Sequence, residues 1–129
     1  MSLGLYILKD KLAFPCDSME EWGRFMETGD RRVAETMIEN VWVSTVFLGL
    51  DHNHFGGEPL LFETMVFLKE EGCLNSSDVE PMVRTSCWGS AELAHKMTVK
   101  RMVEKLEKAQ KAAEGLLYAA ITMEEADPS

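Results

Sequence analysis

The residues with the most chemical potential are gathered in one stretch, "DHNHFGGEPLLFETM", residues 51–65. Asp51, His52, His54 and Glu63 supply the imidazole nitrogens and carboxylate oxygens that bind a divalent ion or move a proton. If the segment stays extended, His52 and His54 project to one side, and Glu63 returns on an opposing strand. A metal centre requires three or four convergent ligands, however, and no H-E-x-x-H spacing is present. Gly56 and Gly57 point to a second chemistry, an anion held by backbone N–H groups. A phosphate loop would follow its glycines with Lys-Ser or Lys-Thr and a helix; here Glu58, Pro59 and an apolar run follow. A small nucleotide-like ligand, its phosphates reached by Arg31, Arg32 or Arg84, stays open on residue type alone. So does plain surface ion pairing of those arginines. The third reading is a wide turn in which Asp51 closes an Asx-turn, both glycines take positive φ, and Phe55 folds back as an anchor. A loop held between rigid strands would then present its groups for contact rather than for bond-making.

The elements that must position this loop are legible from periodicity. "VWVSTVFLGL" and "LLFETMVFL" flank it, both rich in β-branched and aromatic residues. Val41, Val43, Thr45 and Phe47 share one face of the first run, and Trp42, Ser44, Val46 and Leu48 share the other. Both faces are apolar enough for a central strand covered on two sides. "RRVAETMIEN" reads as a strand joined to this one by a turn at Glu39 and Asn40. "LYILKDKLAF" reads as a hairpin turning at residues 9–11, closed by Pro15. Asp17 then stands where a helix cap belongs, Met19, Trp22, Phe25 and Met26 give one apolar helical face, and Gly29 suits a left-handed cap. "GCLNSSDVEP" is loop by composition and "MVRTSCW" a further strand. The three tryptophans, Trp22, Trp42 and Trp88, fit core positions better than an aromatic stacking surface.

After Ser90, read as an N-cap, the last third is one long helix spanning 90–123, with a frayed tail at 124–129. Val99, Val103, Leu106, Gln110, Ala113 and Leu117 form one stripe; Met102, Leu106, Ala109, Ala113, Leu116 and Ala120 form the next. Some 30 residues of helix run about 45 Å, longer than the roughly 30 Å width of a small domain. Either Gly115 breaks the helix, or the overhang packs on another copy of the chain. A homodimer through the C-terminal helix is the favoured expectation.

Composition bounds the rest. A chain of 129 residues with 46% hydrophobic and 27% charged content is one domain with a single core. Residues 1–88 read as mostly β with one short helix. The expected fold class is α+β, an antiparallel sheet of four or five strands with a short helix in the N-terminal half and a long C-terminal helix across one face. The net charge of −9 argues against direct binding to nucleic acid or anionic lipid; it permits a basic partner, but acids scattered in pairs (Glu20–Glu21, Glu70–Glu71, Glu124–Glu125) fit a solvated surface better. No apolar run reaches membrane-span length, no leader pattern is visible, and Cys16, Cys73 and Cys87 form no C-x-x-C, so reduced thiols in a cytoplasmic setting are expected. No cofactor motif stands out, and none is expected.

Two stretches, "YILKDKLAFPCDSMEEWGRFMETGDRRVA" and "VSTVFLGLDHNHFGGEPLLFETMVF", resemble a family of short, mostly uncharacterised proteins scattered through tailed-phage and prophage genomes. The resemblance covers residues 6–67, with a weaker echo in "RTSCWGSAELAH". The family's loop usually passes from "DH" almost directly into "F" and glycines. His54 in "DHNHF" is therefore a local addition, and the helix beyond Lys100 exceeds the usual ending. The resemblance implies a phage context and no mechanism. The expectation it supports is a non-enzymatic binding protein that occupies a host defence protein or a small ligand. The alternatives are a small metal- or His-dependent enzyme built on the "DHNH" loop and a virion or assembly component.

Overall fold

The computed structural model describes residues 3–70, 73–75 and 81–125 of the chain. Its elements run β1 (Tyr6–Lys9), β2 (Leu12–Pro15), α1 (Met19–Thr28), β3 (Arg32–Ile38), β4 (Val41–Phe47), β5 (Phe62–Glu70), β6 (Cys73–Asn75), β7 (Val83–Thr85) and α2 (Trp88–Glu125). The fold is α+β, as the sequence implies. β1 and β2 form a two-stranded hairpin, and the main antiparallel sheet has the order β3-β4-β5-β6. β7 pairs with residues 62–64 of β5, so β6 and β7 share its outer edge at opposite ends.

The hairpin turns through Asp10 and Lys11, both at positive φ. β4 and β5 pair without interruption from Val41↔Leu68 to Phe47↔Phe62. This register places Val41, Val43, Thr45 and Phe47 on one face with Phe62, Thr64 and Val66, all of them buried. α2 lays Ala91, His95, Thr98 and Met102 on that face, and Val99 and Leu106 pack beside them. At the loop end Phe47 meets Phe25 of α1 edge-on at 5.9 Å and Phe62 at 5.3 Å, and Phe62 meets Trp88 at 6.3 Å. These rings join α1, β4, β5 and α2, and burying each phenyl group contributes about 2–3 kcal/mol. The opposite face is less covered: Trp42 and Val46 are only half-buried, so the sheet is not equally packed on its two sides.

Buried between sheet and helix is a polar chain. Thr64 Oγ1 lies 2.7 Å from Thr45 Oγ1, which lies 2.8 Å from His95 Nδ1; His95 Nε2 lies 2.8 Å from Thr36 Oγ1. One neutral tautomer satisfies it throughout: Thr64 donates to Thr45, Thr45 to Nδ1, and Nε2–H to Thr36. Burial pushes the imidazole pKa below its ordinary value.

Several local boundaries differ from the sequence reading. Ser18, not Asp17, caps α1, its side chain accepting from the Glu21 N–H. Gly29 has φ −77, so the helix ends without a left-handed residue. Part of the supposed loop after residue 72, Cys73–Asn75, is strand, since the outer edge of β5 offers it a ladder. α2 begins at Trp88 rather than after Ser90 and runs unbroken through Gly115 to Glu125, so residues 124 and 125 belong to the helix. Of the two readings of the overhang, the break at Gly115 is the one overturned. Of the remainder of the expected loop, residues 72 and 76–80 lie outside the described residues, as do 126–129 of the expected frayed tail. Among the described residues no helix is long and apolar enough to cross a membrane.

Candidate functional site

The loop between β4 and β5 is fixed at its base from both sides. Leu48 N–H donates to Leu61 O at 2.6 Å and His52 N–H to Leu60 O at 3.1 Å. On the other flank Tyr6 N–H reaches Gly49 O and Asp51 N–H reaches Gly4 O, each at 2.9 Å, around a Leu5↔Leu50 bridge. Gly49 O also accepts from Trp22 Nε1 at 2.9 Å. Gly49 sits at φ +76, and a Cβ there would fall 2.6 Å from Met26 Sδ, so glycine is required.

Above this base the loop is braced by its own side chains. Asp51 Oδ1 accepts from Asn53 N–H at 2.8 Å and from Leu60 N–H at 3.0 Å, tying the two limbs together. Asn53 Nδ2 donates to Glu58 O at 2.7 Å, and its Oδ1 accepts from Phe55 N–H at 3.1 Å. Gly56 and Gly57 turn the chain at φ +83 and +94. The Asx-turn and the glycine conformations agree with the sequence reading. Phe55 does not: its side chain is 100% exposed instead of folded back. The short span from Asn53 to Gly57 is closed by its own hydrogen bonds and leaves the ring no inward path.

The other candidate residues fall into separate groups. Glu63 pairs across strands with Arg84, whose Nε donates to Oε2 at 3.2 Å. Arg32 Nη1 lies 2.8 Å from Glu35 Oε2, and its guanidinium lies 5.9 Å from the Trp42 ring. Register places Arg32, Val46, Glu63 and Arg84 in one row across four strands. The arginines at its ends are therefore about 14 Å apart at the backbone, each beside an acid. Arg31 and Arg32 line a hollow with Glu27 and Asp30, at the sheet edge away from Arg84. The arginines thus do not converge on one anion. His52 is half-buried and His54 exposed. Asp51 and Glu63, the carboxylates a metal would need, are engaged by backbone N–H groups and by Arg84. Among the described residues no three His, Cys, Asp or Glu side chains come together around a common point.

One feature escaped the sequence reading. A cleft of about 570 Å³ runs between the returning limb of the loop (Glu58, Pro59, Leu60) and the start of α2 (Cys87, Ser90), floored by Arg84, Thr85 and Ser86. Cys87 is exposed, precedes the first residue of α2, and has its Sγ 3.1 Å from Ser90 Oγ. The Ser90 hydroxyl, then the Ser90 and Gly89 backbone N–H groups, hold the thiol below its usual pKa. Iodoacetamide at neutral pH is therefore expected to alkylate Cys87 several-fold faster than in Ser90→Ala, while buried Cys16 stays protected. Peptide mass spectrometry reads both rates, and equal rates in the two proteins would remove the argument. No histidine on α2 completes a Cys–His pair, because His95 is committed to Thr36 and Thr45. Comparison of the chain with known protein families, with curated proteins and with solved structures found no match.

Proposed function

We propose that this chain is a small phage- or prophage-encoded binding protein that acts by occupying a host partner through loop 51–60. The observation that carries the reading is Phe55, a fully exposed aromatic ring at the tip of a loop whose backbone is already hydrogen-bonded. A solvent-exposed ring is costly to display and gains most when a partner supplies an apolar pocket. Ordering the loop in advance lowers the entropy lost on binding. The net charge of −9 favours a partner with a basic rim. The resemblance to phage proteins supports the biological setting, and a host defence protein fits that setting.

Affinity capture from host-cell extract with the wild-type chain and with Phe55→Ala tests this. A host protein retained by the first and lost with the second is the expected result; identical retained sets would refute the role of the loop. An enzymatic reading keeps one support, the cleft beside Cys87, and would run through that thiol rather than through His52 or His54. Retention of the partner by Cys87→Ser separates binding from thiol chemistry.

A further inference from the structure

We propose that the outer edge of β7 takes up an extended segment of a partner protein as an added antiparallel strand, with an acidic residue opposite Arg84. The hydrogen-bond ladder itself specifies this kind of occupant. Leu48 N–H donates to Leu61 O, and Lys69 N–H to Asn40 O, so the odd-numbered residues along β5 turn their backbone groups toward β4. Phe62 and Thr64 therefore turn theirs toward Thr85 and Val83, their partners on β7. Arg84, between those two, directs its own N–H and C=O away from β5. Among the described residues no strand covers that edge. A donor and an acceptor held in strand geometry are satisfied together by one residue of an antiparallel strand.

Side chains on both faces of the edge fit the same occupant. On the inner face, Val83 and Thr85 border a hollow of about 300 Å³ whose far wall is Leu93, Ala94 and Met97 of α2. Leu93 is 58% and Met97 51% exposed, one turn apart on the helix flank beside β7. A strand added to β7 sets alternate side chains, the neighbours of Val83 and Thr85, against this flank. On the outer face the row Arg32, Val46, Glu63, Arg84 ends on a cation. Glu63 takes the Arg84 Nε at 3.2 Å, and the other guanidinium N–H groups are donors for a second carboxylate. The residue directly across from Arg84 is therefore an acid, and the residues on either side of it are aliphatic.

The hollow is continuous with the cleft beside the loop, since Thr85 and Ser90 line both. A strand lying on β7 thus leads past Ser90 to Pro59 and Leu60, the returning limb of the loop that carries Phe55. That one partner supplies both this strand and the contact for Phe55 rests on the binding function proposed above; strand addition to β7 does not.

The probe is acetyl-Thr-Val-Glu-Val-Thr-amide, titrated into the isotopically labelled full chain and followed by NMR. The Arg84 amide and the Leu93 and Met97 methyl signals are expected to shift, and exchange of the Arg84 N–H to slow. Methylating the backbone nitrogen of the peptide's glutamate, or replacing that glutamate by lysine, should weaken binding about tenfold or more. Leu93→Lys, at an exposed position, should weaken it likewise with Tm unchanged. Phe55→Ala should bind the peptide as the wild-type chain does, so failure of the loop reading leaves this result intact. An Arg84 amide unmoved at millimolar peptide, shifts confined to loop 51–57, equal binding of either altered peptide, or binding indifferent to Leu93→Lys would overturn the proposal.

Discussion

Replacing His95 by alanine should lower the unfolding free energy by about 3 kcal/mol, a fall in Tm of roughly 10–15 °C for a chain of this size. The loss has two sources. A side chain only 5% exposed is removed from between α2 and the sheet, leaving a cavity. The hydroxyls of Thr36 and Thr45 also lose the ring nitrogens 2.8 Å away, in a place water does not easily reach. Thermal or urea unfolding measures the effect, and a change below about 1 kcal/mol would mean the polar chain is not structural. The pH dependence has a definite sign. Burial holds the folded-state pKa below the ordinary imidazole value of about 6.5, so the unfolded chain takes up its proton first. The stability that neutral His95 contributes is complete above that unfolded value and is lost as pH falls through the depressed folded value. The difference between wild type and His95→Ala should therefore shrink on acidification from pH about 6.5 downward.

Phe55→Ala is expected to cost the captured partner at least about 30-fold in affinity, the effect of deleting a central aromatic contact. The same substitution should leave Tm unchanged, because a ring that is 100% exposed contributes no packing to the fold. This pairing of a large binding effect with no stability effect separates a displayed contact group from a core residue. Substituting Phe14, 44% exposed on the β1–β2 hairpin, gives the control in which stability falls and the affinity does not move. Titration of the purified partner by calorimetry reads the affinity directly. Equal affinities for wild type and Phe55→Ala would place the contact elsewhere.

Much of the fold follows from period. The two-residue alternation of "VWVSTVF" and "FETMVF", and the spacing of Met102, Leu106 and their neighbours, specify which faces are buried before any contact is known. The bracing of the loop was equally legible, because an Asp at the start of a turn and two successive glycines have few other uses. What escaped depends on which elements meet. His95 reads from the sequence as one residue on an apolar stripe, and only the packing of α2 on β3 and β4 shows two ring nitrogens answering two hydroxyls. The available signal was the set of threonines, Thr36, Thr45 and Thr64, at inward-facing strand positions that require a polar partner. Phe55 was misjudged because hydrophobicity says that a ring prefers burial, not whether a loop is long enough to deliver it. The cleft at Cys87 lies between segments 27 residues apart in their nearest parts, Leu60 and Cys87, a juxtaposition no local pattern encodes.

Amide hydrogen exchange in loop 51–60 of the free protein tests the central claim most directly, namely that the loop is ordered before any partner arrives. The Asn53 and Leu60 N–H groups, both held by Asp51 Oδ1, should exchange slowly in the wild-type chain and lose that protection together in Asp51→Ala, with β4 and β5 unaffected. Exchange of both amides at the rate of an unstructured peptide in the wild-type protein would contradict the account.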